Sequence, residues 1–333
     1  MDILIALSPI VAFIVTFVLI QKWIPVAFKA GLTGKDMNKP NKPPVAEMGG
    51  VAVMGGILAG LLYYITLNTF YFNQKLYNID LFAAFSTILI VSFIGFIDDI
   101  LGWKIGIKQW QKPFLTLPAA LPMMVINAGH ATISLPFIGD LNLGILYPLV
   151  LVPVGIVGAS NGFNMLAGYN GLEAGMGLII VSALTYVTYL TGSSWVSMIG
   201  LVTAVALFAF LLFNWYPAKL FPGNGFTYLI GAIIGIIAIL GNAEKFALLL
   251  FTPYMIDFIL PLRSRMKAEA FAKVNDDGSL EKPYDKIYDL THLMIELIRK
   301  IKPKVYERDV TISILLIELL ISLIGFLVFV IVR

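Results

Sequence analysis

Long apolar segments alternate with short polar ones along the chain. A helix needs roughly 20 apolar residues to cross a bilayer, and ten segments reach or approach that length. The predicted spans are residues 3–21, 47–66, 80–97, 113–128, 144–160, 172–190, 195–213, 226–241, 246–262 and 310–332. The fourth is short and contains Pro118 and Pro122, which predict a kink. The pattern therefore predicts an all-α polytopic membrane protein with about ten transmembrane helices.

Composition supports a membrane protein and excludes several kinds of site. Hydrophobic residues make up 59% of the 333 residues and charged residues 13%, whereas soluble domains are nearer half apolar and a quarter charged. The absence of cysteine excludes disulfides and thiolate chemistry, and two histidines are too few for a histidine-rich zinc site. The first apolar segment has no basic n-region, so we expect a span there rather than a cleaved signal peptide.

Basic residues are concentrated in alternate connections. Of the 23 lysines and arginines, all but Lys75, Lys245 and Arg333 fall in one set of connections, namely residues 22–46, 98–112, 161–171, 214–225 and 263–309. By the positive-inside rule, this set is predicted to lie on the cytoplasmic side.

The longest connection, residues 263–309, is predicted to be a cytoplasmic insertion in a single domain that covers residues 1–333. Val274-Asn-Asp-Asp-Gly-Ser279 is a turn signal, which predicts a short hairpin. From Tyr284 to Ile301, apolar residues recur at helical spacing with charged residues mostly between them. This favours an amphipathic helix, on the bilayer surface or against the bundle, over a solvated linker.

The most informative polar segment is Asn161-Gly-Phe-Asn-Met-Leu-Ala-Gly-Tyr-Asn-Gly-Leu-Glu-Ala-Gly175, between two predicted spans. Its amides and its glutamate would be costly in hydrocarbon without partners, and its glycines let a backbone approach a ligand closely. We interpret it as a polar pocket at the membrane surface, suited to a phosphate, a metal or a nucleotide. The structural alternative is a polar turn in which Gly171 and Gly175 form a helix-packing face.

Further polar segments lie on the same predicted face: Pro40–Glu47, Asp98-Asp99, Pro222–Gly225 and Pro261–Arg265. Adjacent carboxylates repel each other and attract a cation, and Lys108, with Lys104 and Lys112 near it, suits an anionic ligand shared with a metal. A turn at a helix N-terminus favours anions, and paired arginines form a fork for phosphate. Each segment has a simpler alternative: a capped helix junction, a connecting turn, or arginines that snorkel from a span end.

Together these segments supply a limited set of functional groups. They hold carboxylates, amide oxygens, lysines and arginines, without a Ser-His-Asp or Cys-His set. The inventory favours Mg²⁺-assisted phosphoryl chemistry on a nucleotide, with a lipid partner reached from the bilayer and no nucleic acid.

The sequence resembles the polyprenyl-phosphate N-acetylhexosamine-1-phosphate transferases. It is most similar to their archaeal and eukaryotic branch, the UDP-GlcNAc–dolichyl-phosphate GlcNAc-1-phosphotransferases. The resemblance covers nearly the whole chain, and its closest segments are Gly95-Phe-Ile-Asp-Asp99, Asn161–Gly175 and Tyr306-Glu-Arg-Asp-Val-Thr311. The Asn161–Gly175 string is quite specific, whereas the paired aspartates alone would be a weak signal.

The resemblance implies roles for individual residues. Asp98, Asp99 and Lys108 match catalytic positions, with one aspartate as a base or support for the metal. Asn164, Asn224 and Asp99 are the implied metal site, with Mg²⁺, or Mn²⁺ in its place, as cofactor.

The implied substrate contacts form a larger set. Gly168, Asn170 and Phe221 match residues around the uridine, and Glu47 matches an acidic residue near the nucleotide. Asn161, the motif neighbour of Asn164, is implied as a further substrate-binding residue. Arg263 matches an arginine on the pyrophosphate, and Arg265 one that recognises N-acetylglucosamine.

The sequence departs from the family pattern at two positions. Asn224 stands where many members have a metal-binding aspartate, and an amide oxygen is a weaker Mg²⁺ ligand than a carboxylate. Ser264 lies where relatives often have histidine. The Asn161–Gly175 string also has no aspartate before Glu173, which argues against the muramyl-pentapeptide substrate of the bacterial branch.

The implied reaction is transfer of GlcNAc-1-phosphate from UDP-GlcNAc to dolichyl or another polyprenyl phosphate. It would take place at the cytoplasmic face of the plasma membrane in an archaeon, or of the endoplasmic reticulum in a eukaryote, and would begin a glycan for N-glycosylation. Two alternatives stay open: a transferase for another UDP-HexNAc or for undecaprenyl phosphate, and a transporter. Only Glu318 is a carboxylate well inside a predicted span, which favours surface chemistry over transport. The resemblance also leaves a homodimer open.

Overall fold

The computed structural model describes residues 2–102, 108–135 and 139–332. Its helices are α1 (Leu7–Ala30), α2 (Gly50–Thr66), α3 (Asn78–Gly102), α4 (Lys112–Thr116), α5 (Leu121–Val125), α6 (Val152–Phe163), α7 (Leu172–Leu190), α8 (Ser194–Asn214), α9 (Asn224–Leu240), α10 (Glu244–Leu250), α11 (Thr252–Leu262), α12 (Leu290–Arg299) and α13 (Glu307–Val332). Three antiparallel strand pairs complete it: β1 (Thr33–Lys35) with β2 (Pro44–Ala46), β3 (Thr132–Leu135) with β4 (Gly139–Asn142), and β5 (Lys273–Val274) with β6 (Leu280–Glu281).

Within the described residues, six helices are long and apolar enough to cross a membrane. They are Leu7–Ala30, Gly50–Tyr71, Asn78–Leu101, Leu172–Leu190, Ser194–Asn214 and Glu307–Phe329. The pair α10 and α11, bent by 53° at its break, makes a seventh if it is one span. The structure is thus mostly helical with six or seven candidate spans, and the count of ten stays a prediction.

The remaining predicted spans are short or interrupted. Tyr147–Phe163 and Asn224–Leu240 are apolar but shorter, and 17 residues of helix extend only about 25 Å. The segment predicted at 113–128 is divided into α4, a 3₁₀ turn at Leu117–Ala120, and α5. Pro118 and Pro122 lie at the starts of the last two pieces, where a missing N–H is tolerated.

The centre of the bundle is α9, which packs against α2, α3, α6 and α7. Every residue from Gly225 to Leu240 is buried, as expected for a helix that is apolar on all sides. Glycine permits the close approach: a Cβ on Gly231 would lie 2.3 Å from the carbonyl oxygen of Ala159. A Cβ on Gly95 would lie 2.6 Å from the Cα of Gly225. The second contact brings the end of α3 against the beginning of α9.

Two polar connections join beside that contact. The backbone N–H of Phe221 donates to the carbonyl of Ala46 (2.7 Å), and the N–H of Gly49 donates to the carbonyl of Phe221 (2.9 Å). The chain that enters α2 therefore runs alongside the chain that enters α9.

The insertion 263–309 folds against the bundle. β5 and β6 flank the turn at Asn275–Gly278. Asp289 caps α12 by accepting a hydrogen bond from the N–H of Thr291 (2.8 Å), and Asp257 of α11 accepts one from Leu290 (2.8 Å). α12 is shorter than the 284–301 helix that the spacing predicts, and it packs on α11 and α13.

Candidate active site

A cavity with a volume of about 370 Å³ lies where α3, α7 and α9 meet the polar connections. It is lined mainly by acidic, amide and glycine residues together with three aromatic ones. Its lining includes Asp36, Glu47, Asp98, Asp99, Asn164, Gly168, Glu173, Phe221, Asn224, Thr227 and Phe271. Four of the five polar segments that stand out in the sequence, all but Pro261–Arg265, thus contribute residues to one cavity.

Asp99 occupies the N-terminus of α9. Its two carboxylate oxygens accept hydrogen bonds from the N–H groups of Asn224 (2.7 Å) and Gly225 (3.0 Å). The sequence predicts an anion at this helix N-terminus, and in the described structure the anion is this carboxylate. The positive end of the helix stabilises it there, within reach of the cavity.

Asp98 is 3% exposed and has two side-chain partners. The hydroxyl of Tyr228 donates to its Oδ2 (2.9 Å), and Lys112 Nζ lies 3.1 Å from the same oxygen. Lys108, the lysine that the sequence analysis selects, is exposed and lies outside the cavity lining. Lys108 precedes the 3₁₀ turn at Gln109–Gln111 and lies one helical turn before Lys112; of the two lysines, Lys112 makes the contact with Asp98. Lys104 lies outside the described residues.

Asn164 and Asn224 line the cavity together and are connected by Thr227. The Thr227 hydroxyl lies 2.6 Å from Asn164 Oδ1, to which it donates, and 3.2 Å from the carbonyl oxygen of Asn224. Thr227 and Tyr228 were not selected from the sequence. The sequence could have indicated both residues by their position, because the third and fourth residues after Asn224 lie one turn further along the same face of α9.

Glu47 is half-buried at the cavity wall. Burial, and secondarily the negative charge of Asp99, raise the pKa of the Glu47 carboxyl above its ordinary value. Gly34 makes room for this side chain, since a Cβ there would lie 2.0 Å from Glu47 Oε1. Phe221, paired with the same chain segment, lines the cavity as well.

Gly168 lies in the cavity wall, and both its N–H and its carbonyl oxygen form hydrogen bonds. Its N–H donates to Glu173 Oε1 (3.0 Å), and its carbonyl accepts from Asn38 Nδ2 (3.0 Å). Its φ of +96° is one that glycine adopts without strain. Asn38 and Glu173 therefore position this wall, and no sequence pattern indicates this positioning role for either residue.

Asn170 lies outside the cavity lining and is 3% exposed. Its Nδ2 donates to Asp36 (3.2 Å), and its Oδ1 accepts from the N–H of Ala218 (2.7 Å). Its own N–H donates to Glu307 at the start of α13 (2.7 Å). With its amide engaged in this way, Asn170 connects loops around the cavity instead of facing a ligand.

The structure does not bring three other predicted residues into the lining. Asn161 Nδ2 donates to Thr116 (2.9 Å) and to the carbonyl of Val157 (2.9 Å), so it joins α6 to α4. Arg263 and Arg265 are exposed in the turn that follows α11. The Ser264 hydroxyl between them accepts from the N–H of Ala268 (3.1 Å) and stabilises this turn.

The donor atoms of the cavity are those that a hard cation prefers. Asp99, Asn164 and Asn224 offer carboxylate and amide oxygens, which suit Mg²⁺. The part of the chain that the structure describes contains no group of three His, Cys, Asp or Glu residues able to hold a metal ion. The oxygen atoms of Asp99, Asn164 and Asn224 therefore suit Mg²⁺ as ligands, and oxygen atoms of the substrate would complete its coordination.

Comparison with known proteins identifies the family to which this chain belongs. A model of glycosyl transferase family 4 matches residues 81–242. A protein of Sulfolobus acidocaldarius, provisionally named as a UDP-N-acetylglucosamine–dolichyl-phosphate N-acetylglucosaminephosphotransferase, is 38% identical over 88% of each chain. A Saccharolobus solfataricus protein with the same provisional name is 39% identical over 90% of each chain. The Dictyostelium discoideum protein of that name is 29% identical over 74% of this chain and 68% of its own.

Proposed function

Because the chain belongs to glycosyl transferase family 4, we propose that it transfers GlcNAc-1-phosphate from UDP-GlcNAc to dolichyl or another polyprenyl phosphate. The products are polyprenyl-diphosphate-GlcNAc and UMP, which begin a lipid-linked glycan. The names of the relatives support the substrates. The observation that carries the proposal is the cavity in which Asp98, Asp99, Asn164 and Asn224 converge.

In this reaction an oxygen of the lipid phosphate attacks the β-phosphorus of UDP-GlcNAc. The new phosphorus–oxygen bond forms as the bond between that phosphorus and the bridging oxygen of UMP breaks. Such a transfer depends on fixed geometry and compensated charge more than on a strong base. The residues that hold Asp98 in place, Lys112 and Tyr228, and the α9 N-terminus that holds Asp99, supply the fixed geometry.

Mg²⁺, or Mn²⁺ in its place, is the proposed cofactor. Asp99, Asn164 and Asn224 would hold it, and when bound it would neutralise charge on the pyrophosphate. Thr227 orients the amide of Asn164 for this role, because a fixed ligand needs no reorganisation during the reaction. Glu47, half-buried in the same wall, adds a carboxylate beside the nucleotide.

We place the cavity at the cytoplasmic surface of the membrane. The set of alternate connections that the charge distribution assigns to the cytoplasm includes those that carry Asp98-Asp99, Asn164 and Arg263. The lipid acceptor would then approach from the bilayer and the nucleotide sugar from the cytoplasm. Arg263 and Arg265, exposed at the beginning of the insertion, remain proposed contacts for the pyrophosphate and the sugar.

The test is UMP release by the purified protein with Mg²⁺, dolichyl phosphate and UDP-GlcNAc. We expect release that depends on both the lipid and the metal. UDP-GalNAc, UDP-MurNAc-pentapeptide and undecaprenyl phosphate, supplied in parallel, separate the related transferases. Absence of UMP release from every donor, together with solute flux in vesicles, would overturn the proposal in favour of a transporter.

A further inference from the structure

Phe271 is the one residue of the insertion 263–309 among the described residues that line the cavity. Its half-buried ring lies against Gly168, because a Cβ added to that glycine would be 3.0 Å from the ring's Cε1. A half-buried ring keeps part of its surface open to the cavity. Phe271 thus adds an aromatic surface to a cavity that also contains Tyr169 and Phe221 alongside its acidic and amide residues.

The backbone on both sides of Phe271 is held. The Thr291 hydroxyl lies 2.7 Å from Asp289 Oδ1 and 3.1 Å from the carbonyl oxygen of Ala270, and the N–H of Ala272 donates to Asn38 Oδ1 (3.1 Å). The same Asn38 donates to the carbonyl of Gly168 (3.0 Å). One buried amide therefore sets the spacing between the ring and Gly168, which distinguishes Phe271 from an aromatic residue on a free surface loop.

The proposed nucleotide substrate has two chemically different parts, a charged pyrophosphate and a flat nucleobase. The carboxylates and amides around Asn164 suit a metal-bound pyrophosphate, whereas a nucleobase needs a flat apolar surface. Stacking of a base on an aromatic side chain contributes enough to change binding by about tenfold. Phe271 offers such a surface, in addition to Phe221 from the chain before α9.

We infer that Phe271 contacts the nucleobase of the nucleoside diphosphate and contributes to its affinity, with Asn38 as the residue that positions it. The inference rests on the proposed function and deepens it. The insertion then has a direct role at the site, because it delivers one of the surfaces that bind the nucleotide. Phe271 makes no contact with the reacting phosphates in this assignment, so it is a binding residue and not a catalytic one.

The experiment compares wild type, Phe271→Leu and Phe271→Tyr by calorimetric binding of UDP and of inorganic pyrophosphate in the presence of Mg²⁺. Leucine keeps an apolar side chain and removes the ring, and tyrosine keeps the ring. We expect Phe271→Leu to weaken UDP binding by about tenfold with pyrophosphate binding unchanged. Phe271→Tyr should bind UDP within about twofold of wild type. Phe70→Leu, at an 84% exposed phenylalanine outside the cavity lining, is the matched control.

Two outcomes would overturn the inference. If Phe271→Leu binds UDP as wild type does, the ring does not contact the base. If Phe271→Leu weakens UDP and pyrophosphate equally, the ring only supports the fold of the site. Failure of the proposed function is distinguishable, because wild type would then release no UMP from UDP-GlcNAc, whichever result the binding gives.

Discussion

Replacing Lys112 tests the assignment of Asp98 most directly. Lys112→Met removes the ammonium group 3.1 Å from Asp98 Oδ2 and keeps a long apolar side chain. Asp98 is then left with the hydrogen bond from Tyr228. Lys108→Met removes a lysine from the same connection that is exposed and outside the cavity lining.

The structure sets the size of the effect. At 3.1 Å and an effective dielectric constant of about 20, the attraction between the two charges is about 5 kcal/mol before desolvation is subtracted. Removing one partner of a buried pair costs about 3–5 kcal/mol, because the other charge stays buried. Lys112 keeps 17% of its side-chain surface exposed and the Tyr228 hydrogen bond remains, so we expect a loss of about 2–3 kcal/mol in the free energy of unfolding.

Activity should fall further than stability alone predicts. Displacing a carboxylate by about 1 Å at a reacting centre costs on the order of 100-fold in rate, and we expect that loss in kcat for Lys112→Met. Lys108→Met should remain within about twofold of wild type, since exposed charges contribute little. Lys112→Arg, which keeps the charge, should recover part of the rate.

The assay is initial-rate UMP release at saturating UDP-GlcNAc, with thermal unfolding in detergent measured on the same preparations. A full rate for Lys112→Met would show that the ion pair with Asp98 is dispensable. If Lys108→Met instead loses about 100-fold in rate and Lys112→Met stays active, Lys108 is the catalytic lysine, as the family resemblance implies.

Three further predictions follow from the site and the charge pattern. Asn224→Asp adds a carboxylate beside the proposed metal, so the Mg²⁺ midpoint of turnover should fall with activity retained, and Asn164→Ala should abolish turnover. The raised pKa of Glu47 means that the unfolded chain releases its proton at lower pH than the folded chain. Stability should therefore decline as pH rises from the ordinary value near 4.5 to the raised one, and Glu47→Gln should flatten that decline in pH-dependent thermal unfolding. In this cysteine-free chain, Asp276→Cys should react with a membrane-impermeant maleimide from the cytoplasmic side and Lys75→Cys from the opposite side.

Each of these predictions has a contrary result. An unchanged Mg²⁺ midpoint for Asn224→Asp would place that side chain away from the metal. A decline of stability in Glu47→Gln as steep as in wild type would assign the pH dependence to other groups. Labelling of both cysteines from one side would overturn the predicted number of spans between them.

The helical membrane character of this protein was readable from the sequence alone. Apolar runs and charge asymmetry are local or additive properties, so α3, α7, α8 and α13 lie close to their predicted spans. α1 overlaps its predicted span 3–21 but continues to Ala30. The polar segments were visible for the same reason, because unpaired polar groups stand out against hydrocarbon. Four of them contribute residues to the cavity, from Glu47 near the start of the chain to Asn224 before α9.

Only the tertiary structure decided which residues face the cavity. Lys108 and Lys112 differ by one helical turn, and the contact with Asp98 selects the second. Asn170 and Asn164 stand in one motif, yet Asn170 is engaged by Asp36, 134 positions away, and only Asn164 lines the cavity. Phe271 lies more than 100 residues from Gly168 in the chain, yet its ring lies against that glycine, and Asn38 bonds to the backbone of both segments. Such roles depend on hydrogen bonds and close glycine contacts between distant segments, and no local pattern encodes those partners.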